Sequence, residues 1–383
     1  MGNFERINRI REWLTIKGHI KEMLHIRQTD DTLTRVIGSG LSTAVPLIIG
    51  LMAGNMRIGT FGALGAFAFL SFQPFTPTKL ATRILKAGLA IMAGFLAGAI
   101  STFIPWMIPI TISLVSLIGF LVVRILHIPN PGAFFVIMVT SMGAGVKLDI
   151  PGMLQAVSFV CIGVAASIFW AVLAVIFNNR VLNRPYRNDT RSYQEHLYDA
   201  VENDSELLLS SVHHAGILFL ATYLAHSLGI GNFYWVAVSC AAVLQGRELK
   251  VIFHRHVQRI VGGMVGLGIG IFLFSLQFST VETVVVLIVL NFFVEYAMVR
   301  NYGLANFFTN PLALLLSNLS SSAFEMDLIG FRFYGLVLGS IVGFAGAALI
   351  SFAMGMYQKE LKLAHKYHKR QETTLASNQS EQE

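Results

Sequence analysis

The chain has 383 residues, of which 54% are hydrophobic and only 13% are charged. Soluble domains carry about 25% charged residues, and a soluble protein of this length needs far more polar surface to cover its cores. The composition therefore excludes a soluble globular protein and predicts an all-α polytopic membrane protein. The net charge of +7 comes from basic residues scattered between apolar segments, which argues against nucleic acid as a partner.

The first predicted element is an amphipathic helix within residues 1–35. Its apolar residues recur near one helical face, and most of its basic residues lie off that face. Such a helix fits the inner-leaflet interface beside anionic lipid, and it fits equally well against the protein's own cytoplasmic loops. The sequence leaves both interpretations open.

Twelve apolar segments follow, each near the length of about 20 residues that spans a bilayer. They form two sets of six, in 36–177 and 215–356, with a polar linker at 178–214. A basic and then disordered tail is predicted at 357–383. The predicted spans are Val36–Met52, Ile58–Gln73, Ile84–Ile104, Trp106–Leu126, Gly132–Val146, Pro151–Phe177, Ala215–Ile230, Phe233–Gln245, Val257–Leu276, Val281–Val299, Leu304–Leu319 and Leu328–Met356.

The basic residues predict the orientation of these spans, because Lys and Arg in short loops stay on the cytoplasmic side. If residues 1–35 are cytoplasmic, all but three of the 28 Lys and Arg residues fall on that side. The exceptions are Arg57, Lys147 and Arg332. This distribution predicts an inner-membrane protein with the linker and both termini in the cytoplasm.

Basic landmarks recur in the two halves. Arg83 begins the third span and Arg259 begins the ninth, 176 residues later. Arg124 and Arg300 end the fourth and tenth spans with the same separation. An even number of spans in each half predicts two parallel six-helix repeats, and transporters commonly place substrate between such halves.

Short or proline-containing spans stand at matching positions in the two halves. The second and eighth spans are short, and the fifth and eleventh contain proline within Asn130–Phe135 and Phe307–Leu316. Pro311 removes a backbone donor and crowds the carbonyl of Phe307, which predicts a kinked or broken helix. Short, broken helices at matching positions indicate a transport site.

The stretch HRHVQRIVGGMVG, at His254–Gly266, joins basic residues to glycines. It is not a phosphate loop, because no Gly-Lys-Ser/Thr follows and no strand precedes it. A glycine at every fourth position instead predicts a stripe where another helix packs closely. The glycines predicted to serve this packing are Gly262, Gly263, Gly266 and Gly270.

The sequence predicts neither a metal site nor a cofactor. His254 and His256 are two residues apart and point to different sides of a helix. Cys161 and Cys240 lie in apolar runs, as reduced packing residues. The sequence shows no paired acids, His cluster or nucleophile with its base at helical spacing, so an enzyme is not predicted.

Arg259 has two interpretations from the residues alone. An arginine at the cytoplasmic mouth of a helix can anchor the span by reaching lipid headgroups with its charged end. The same guanidinium can bind a carboxylate with two parallel hydrogen bonds. The recurrence of basic residues in both halves makes the second interpretation a serious alternative.

The run Phe233–Gly266 resembles the signature of the fusaric acid resistance and aromatic acid exporter family. That signature has Tyr-Trp before a short helix ending in Leu-Gln, a basic loop, and then Arg-x-x-Gly-Thr-x-x-Gly. The matching residues are Tyr234, Trp235, Leu244, Gln245, Arg259, Gly262 and Gly266, while Gly263 replaces the usual Thr. The later FFTNPLALLL resembles the family's Thr-Pro-Leu-rich segment, with Asn310 inserted before Pro311.

The resemblance covers about 215–319, and the first half fits it as a degenerate copy. There Lys86 stands in place of the motif's glycine, and Phe61 or a neighbour stands in place of the Trp. The resemblance implies export of small organic, often aromatic, carboxylic acids, driven by the proton gradient. The expected partners are therefore a small organic anion and membrane lipid, and an oligomer is not required.

The implied mechanism begins with capture of a carboxylate at the cytoplasmic mouth of the ninth span. The residues expected to bind substrate are Arg259, Arg83, Trp235, Tyr234, Gln245, Phe307, Phe308 and Asn310. Glu295 is the candidate for proton coupling, and its alternative role is pairing with Arg300 or a basic loop residue. Two other functions stay open: a passive organic-anion channel, and an envelope scaffold or lipid-handling protein without transport.

Overall fold

The computed structural model describes residues 26, 33–187, 193–203, 207–246, 248–319 and 327–380. Regular structure in these ranges is helical, without strands. The predicted amphipathic helix lies outside the described residues, apart from the last positions of 1–35. Thirteen α-helices are described: α1 Leu33–Met52, α2 Met56–Ala66, α3 Pro77–Ser101, α4 Met107–Ile125, α5 Phe134–Ala144, α6 Ile150–Arg180, α7 Tyr193–Asn203, α8 Leu207–Ser227, α9 Tyr234–Val243, α10 Leu249–Ser275, α11 Thr280–Met298, α12 Tyr302–Leu319 and α13 Asp327–Ser380.

Each of the twelve predicted spans coincides with one of these helices, and α7 lies in the linker. Eight helices within the described ranges are long and apolar enough to cross a bilayer: α1, α3, α4, α6, α8, α10, α11 and α13 as far as Ala353. Three shorter apolar helices correspond to the second, fifth and eighth predicted spans. The chain is thus an all-helical, multi-span membrane protein, and the count of twelve spans stays a prediction.

The C-terminal tail is helical where the sequence predicts disorder. α13 continues past its apolar part to Ser380. Residues 357–380 contain Lys, Glu, Leu, Ala and Gln, which favour helix, and neither Gly nor Pro. The tail therefore continues the preceding helix without a residue that would end it.

α12 continues through Pro311, so the predicted break is absent, while a kink there stays a prediction. Proline is tolerated in membrane helices where a neighbouring helix accommodates the freed backbone groups. The carbonyl oxygens of Asn306 and Phe307 lie against Gly266 of α10, where no side chain competes for the space. The glycine thus accommodates the backbone that the proline disturbs.

The helices of the two halves pack in equivalent pairs. In the first half α2 packs on α6, and α3 on α5; in the second half α9 packs on α13, and α10 on α12. The contacts between halves are also paired, since α4 packs on α8 while α11 packs on α1. The short helices also contact the other half, α5 against α9 and α2 against α12.

Polar contacts join the halves inside these apolar interfaces. Ser116 Oγ lies 2.9 Å from His214 Nδ1 between α4 and α8. Between α1 and α11, Asn291 Nδ2 donates to Thr43 Oγ1 over 3.2 Å. Hydrogen bonds of this kind hold membrane helices together where hydrophobic burial contributes little.

Glycines bring α10 and α12 into backbone contact. A Cβ atom built on Gly262 would lie 2.6 Å from the carbonyl oxygen of Gly303, and one on Gly266 would lie 2.5 Å from that of Asn306. Gly270 faces Leu314 and Pro311 on α12, and Gly263 faces Leu336 on α13. The stripe therefore fixes how closely α12 and α13 approach α10.

Gly266→Leu should destabilise the protein, because its side chain would meet the α12 backbone. Overpacking of this kind costs on the order of 1 to 3 kcal/mol. The matched control is Gly268→Leu on the same helix, since no atom outside the helix backbone lies within 4 Å of a Cβ built there. Thermal unfolding of both purified variants measures the difference. Equal stabilities would show that α10 and α12 are not in backbone contact at Gly266.

Candidate functional site

Arg259 lies inside the helix bundle and not at its mouth. α10 begins at Leu249, eight residues before the predicted span, so Arg259 lies about 15 Å along the helix axis. Its exposed fraction is only 4%. A guanidinium this deeply buried does not reach lipid headgroups, so the anchoring interpretation does not fit the structure.

The Arg259 guanidinium contacts two neighbouring helices. Its Nη1 donates to Asn306 Oδ1 on α12 over 3.2 Å, and its Nη2 donates to Ser239 Oγ on α9 over 3.3 Å. Its Nε is buried and has no hydrogen-bond partner. One N–H of the guanidinium is therefore available to a further acceptor.

Arg332 lies beside this arginine and is likewise buried in the bundle. α13 begins at Asp327, so Arg332 belongs to its second turn, and only 2% of it is exposed. Its Nε donates to Asn310 Oδ1 over 3.0 Å, and its Cζ lies 3.4 Å from the centroid of the Trp235 ring. Its Nη1 is buried without a hydrogen-bond partner.

The two asparagine amides on α12 are held in one orientation. Asn306 Nδ2 donates to the carbonyl of Tyr302 over 2.8 Å, and Asn310 Nδ2 donates to the carbonyl of Asn306 over 3.1 Å. Each amide oxygen is thereby free to face a guanidinium. Because the asparagines are four residues apart, they lie one above the other on one helix face. Arg259 and Arg332 therefore donate to asparagines on successive turns of α12.

The two guanidinium charges are not neutralised by a carboxylate among the described residues. Arg259 and Arg332 interact electrostatically, and a guanidinium stays protonated in proteins. Like charges that interact in a protein interior repel each other, and the repulsion costs free energy unless a counter-ion offsets it. Buried charges are normally paired, so this arrangement favours an anionic ligand. We call the residues around these two guanidiniums the arginine site, which comprises Arg259, Arg332, Ser239, Asn306, Asn310 and Trp235.

Several predicted substrate-binding residues lie at the arginine site. Arg259, Trp235 and Asn310 belong to it. Tyr234 lies next to it, with its ring centroid 4.8 Å from that of Trp235, and interacts electrostatically with Arg332. One face of Trp235 is covered by Arg332, so that face does not contact a substrate ring.

One of the two phenylalanines expected to bind a substrate ring, Phe308, lies on another face of α12. Phe308 stacks on Phe293 of α11, with ring centroids 5.2 Å apart, and packs in an apolar cluster with Leu47. It follows Asn306 by two residues, about 200° around the helix, and so faces the opposite side. Phe307 is half-buried, about 100° from Asn306. Phe308 is therefore excluded from the arginine site.

Arg83 belongs to a different part of the bundle. Its Nε donates to the carbonyl of Ser71 over 3.0 Å, and its Cζ lies 5.7 Å from the centroid of Phe75. It lines a cavity of about 120 Å³ with residues of the first half only. The predicted contribution of Arg83 to a substrate site with Arg259 stays a prediction.

Gln245 lines a larger cavity, of about 520 Å³, at the N-terminal end of α10. Both halves contribute to its wall, and its polar lining includes Arg124, His127, His213 and Gln245. Ile252 of α10 also lines it, about 10 Å along the helix from Arg259. The cavity therefore lies on the side of the arginine site that is predicted to be cytoplasmic.

Arg255 lies between this cavity and the arginine site. Its Nε donates to the carbonyl of Ala242 over 3.2 Å, and its Cζ lies 4.2 Å from the centroid of the Tyr302 ring. Tyr302 also interacts electrostatically with Arg259, one turn further along α10. Arg255 and Arg259 thus place two positive charges one helical turn apart on α10, with Arg255 nearer to the cavity.

Glu295 pairs with Arg35 and not with Arg300. Glu295 Oε2 lies 3.4 Å from Arg35 Nη1, and only 6% of Glu295 is exposed. Arg300 instead donates from Nη1 to the carbonyl of Tyr296 over 2.9 Å. The Arg35–Glu295 pair joins α1 to α11, at the interface of the two halves and outside the arginine site.

Sequence reasoning missed Arg332, Asn306 and Ser239. Arg332 does carry a signal in the sequence. It is an isolated arginine inside an apolar span, and it is one of the three basic residues that fall outside the predicted cytoplasmic regions. Asn306 and Asn310 form a second signal, since two amides four residues apart in an apolar helix need buried partners. Ser239 has no comparable sequence signal.

Residues 220–346 match the protein family described as "Fusaric acid resistance protein-like". This confirms the predicted family resemblance for a segment that contains every residue of the arginine site. A curated relative is the "Uncharacterized membrane protein YvaC" of Bacillus subtilis (strain 168), which is 26% identical over 175 residues. The match covers 45% of this chain and only 27% of that protein. No solved structure matches the chain.

Asn310→Asp should stabilise the protein, because it places a carboxylate beside Arg332. Hydrogen bonds to charged groups contribute about 1 kcal/mol more than neutral ones. The measurement is the thermal unfolding midpoint of purified protein without added anions.

The control is Asn291→Asp, another buried asparagine, whose amide donates to Thr43. A carboxylate there has no guanidinium partner in this contact and lies one turn from Glu295, so this variant should be less stable than the wild type. A fall in stability for both variants would contradict an uncompensated charge at Arg332.

Proposed function

We propose that the chain is an inner-membrane transporter that exports small organic carboxylic acids, aromatic acids included. The principal support is the pair of buried guanidinium groups without carboxylate partners. Intramembrane charges mark substrate pathways, and a guanidinium fork matches the two oxygens of a carboxylate. Arg259 is the proposed centre of recognition, with Arg332 next to it.

The proposal includes two six-helix repeats, in 36–177 and 215–356, for which the equivalent helix pairs are the support. Close glycine contacts recur as well: Gly163 faces the Gly62 carbonyl between α6 and α2, and Gly339 faces the Val236 carbonyl between α13 and α9. Gly163 and Gly339 are 176 residues apart. The same shift separates Arg83 from Arg259.

Substrate binding belongs to the second half in this proposal. At the 176-residue shift Arg332 corresponds to Ala156. At the 173-residue shift of the paired phenylalanines, Asn306 and Asn310 correspond to Ala133 and Ile137. All three first-half residues are buried and apolar. The first half therefore retains an arginine but not the counterparts of Arg332, Asn306 and Asn310.

The 520 Å³ cavity is the proposed entrance from the cytoplasm. Arg124 in its lining attracts anions, because clefts lined by positive charge concentrate counter-ions. Arg255 then offers a positive charge one turn before Arg259. A carboxylate would move along α10 from the cavity to the arginine site.

Burial of the arginine site favours a carrier over an open channel. Exposed fractions of 4% and 2% for Arg259 and Arg332 leave neither guanidinium on a water-filled path. Substrate access therefore requires the helices around the site to move, as in alternating access. Saturable flux supports this carrier, single-channel currents would support a pore, and binding without flux would support a scaffold.

Glu295 is the proposed proton-coupling residue, acting at the interface between the halves. Breaking a buried ion pair leaves an uncompensated charge, so protonation of Glu295 would weaken its contact with Arg35. The contact joins α1 to α11 and is placed to link proton binding to movement of one half against the other.

Arg259→Lys should keep membrane insertion and weaken apparent substrate affinity by about 1 to 3 kcal/mol, or roughly ten- to a hundredfold. Lysine retains the charge but loses the planar fork that binds both carboxylate oxygens. Arg259→Ala should weaken transport further. The measurement is uptake of benzoate and succinate by proteoliposomes containing purified protein.

The matched control is the same pair of substitutions at Arg187, whose side chain is exposed in the linker. Neither change there should alter transport. Unchanged substrate affinity in reconstituted Arg259→Lys protein would remove Arg259 from carboxylate recognition.

A further inference from the structure

The two positive charges of the arginine site indicate how much negative charge its substrate carries. Arg259 and Arg332 are both buried, and neither pairs with a carboxylate of the described residues. We infer that the substrate is a compact dicarboxylate, with one carboxylate at each guanidinium. This inference rests on the proposed function, because it assumes that the arginine site is the substrate site.

Each guanidinium has its own fixed partner and its own unused donor. Arg259 contacts Asn306 and leaves Nε without an acceptor, whereas Arg332 contacts Asn310 and leaves Nη1 without one. Two separate donors call for two acceptor groups. A single carboxylate shared by both arginines would leave the site with one buried positive charge.

The spacing of the two arginines selects the kind of dianion. Their asparagine partners lie one helical turn apart, where Cβ atoms are separated by about 5 to 6 Å. Two carboxylates joined by a short carbon chain match such a separation. Inorganic phosphate carries its charges on one centre and cannot place a separate anionic group at each guanidinium.

The surroundings of the arginines favour a small substrate. Trp235 has one face covered by the Arg332 guanidinium. Gly335 and Gly339 of α13 face the α9 backbone at Trp235 and Val236, so the helices approach closely on this side of the site. A short dicarboxylate demands less separation of these helices than a large ring system does.

The test compares acids that differ by one carboxylate. Succinate and butyrate have the same number of carbons, and terephthalate and 4-methylbenzoate form the matching aromatic pair. Binding of each acid to purified full-length protein in lipid nanodiscs is measured by titration calorimetry at pH 7. We expect at least tenfold tighter binding of the dicarboxylate in each pair, and tighter binding of succinate than of inorganic phosphate.

Arg332→Gln should remove this preference. It should weaken succinate binding at least tenfold while butyrate binding changes little, because Arg259 still holds one carboxylate. Arg300→Gln is the control, since it also removes an arginine charge but acts on a side chain that contacts the carbonyl of Tyr296. This control should keep the wild-type preference.

The outcomes separate the inference from the function on which it rests. Equal binding of succinate and butyrate by the wild type overturns the dicarboxylate inference and leaves carboxylate transport intact. An unchanged preference in Arg332→Gln also overturns it. If that variant does not fold, the wild-type comparison still decides. Binding of none of the four acids by folded wild-type protein overturns both proposals.

Discussion

Two guanidinium groups buried in an apolar helix bundle are the constraint on which the rest of the second half depends. Arg259 and Arg332 have amide, hydroxyl and aromatic partners, but among the described residues no carboxylate neutralises them. A chain that only needed a stable bundle would place apolar side chains here, as the first half does at Ala156 and Ile137. Retaining two charges costs stability, and an anionic substrate is the physical reason we propose for keeping them.

Close helix packing holds the polar partners of these two charges in defined positions. Gly262 and Gly266 bring the α10 backbone against α12 at the level where Asn306 meets Arg259. The amides of α12 are in turn oriented by their own helix carbonyls. Close helix contact and oriented amides together hold both guanidiniums in place without a counter-ion. In the first half Arg83 donates to the backbone carbonyl of Ser71 instead.

The sequence predicts the general architecture well because bilayer thickness constrains the length and polarity of every span. A helix lies at each of the twelve apolar segments, and family residues such as Trp235 and Arg259 lie together. The depth of Arg259 could not be predicted, because α10 begins within the basic loop and the polar side chains of Leu249–His256 conceal its start. The burial of Arg332 could not be predicted either, because it depends on contacts with α9 and α12. Phe308 was misplaced because adjacent aromatic residues on a helix face different sides.

The central claim is that an anion binds between Arg259 and Arg332. A crystal structure of the full-length protein grown with bromosuccinate tests this directly, because bromine can be located by its anomalous scattering. The account predicts an anomalous peak at the arginine site, with carboxylate oxygens within hydrogen-bond distance of Arg259 Nε and Arg332 Nη1. A peak confined to the cavity beside Gln245, or no bound anion at saturating concentration, would contradict it.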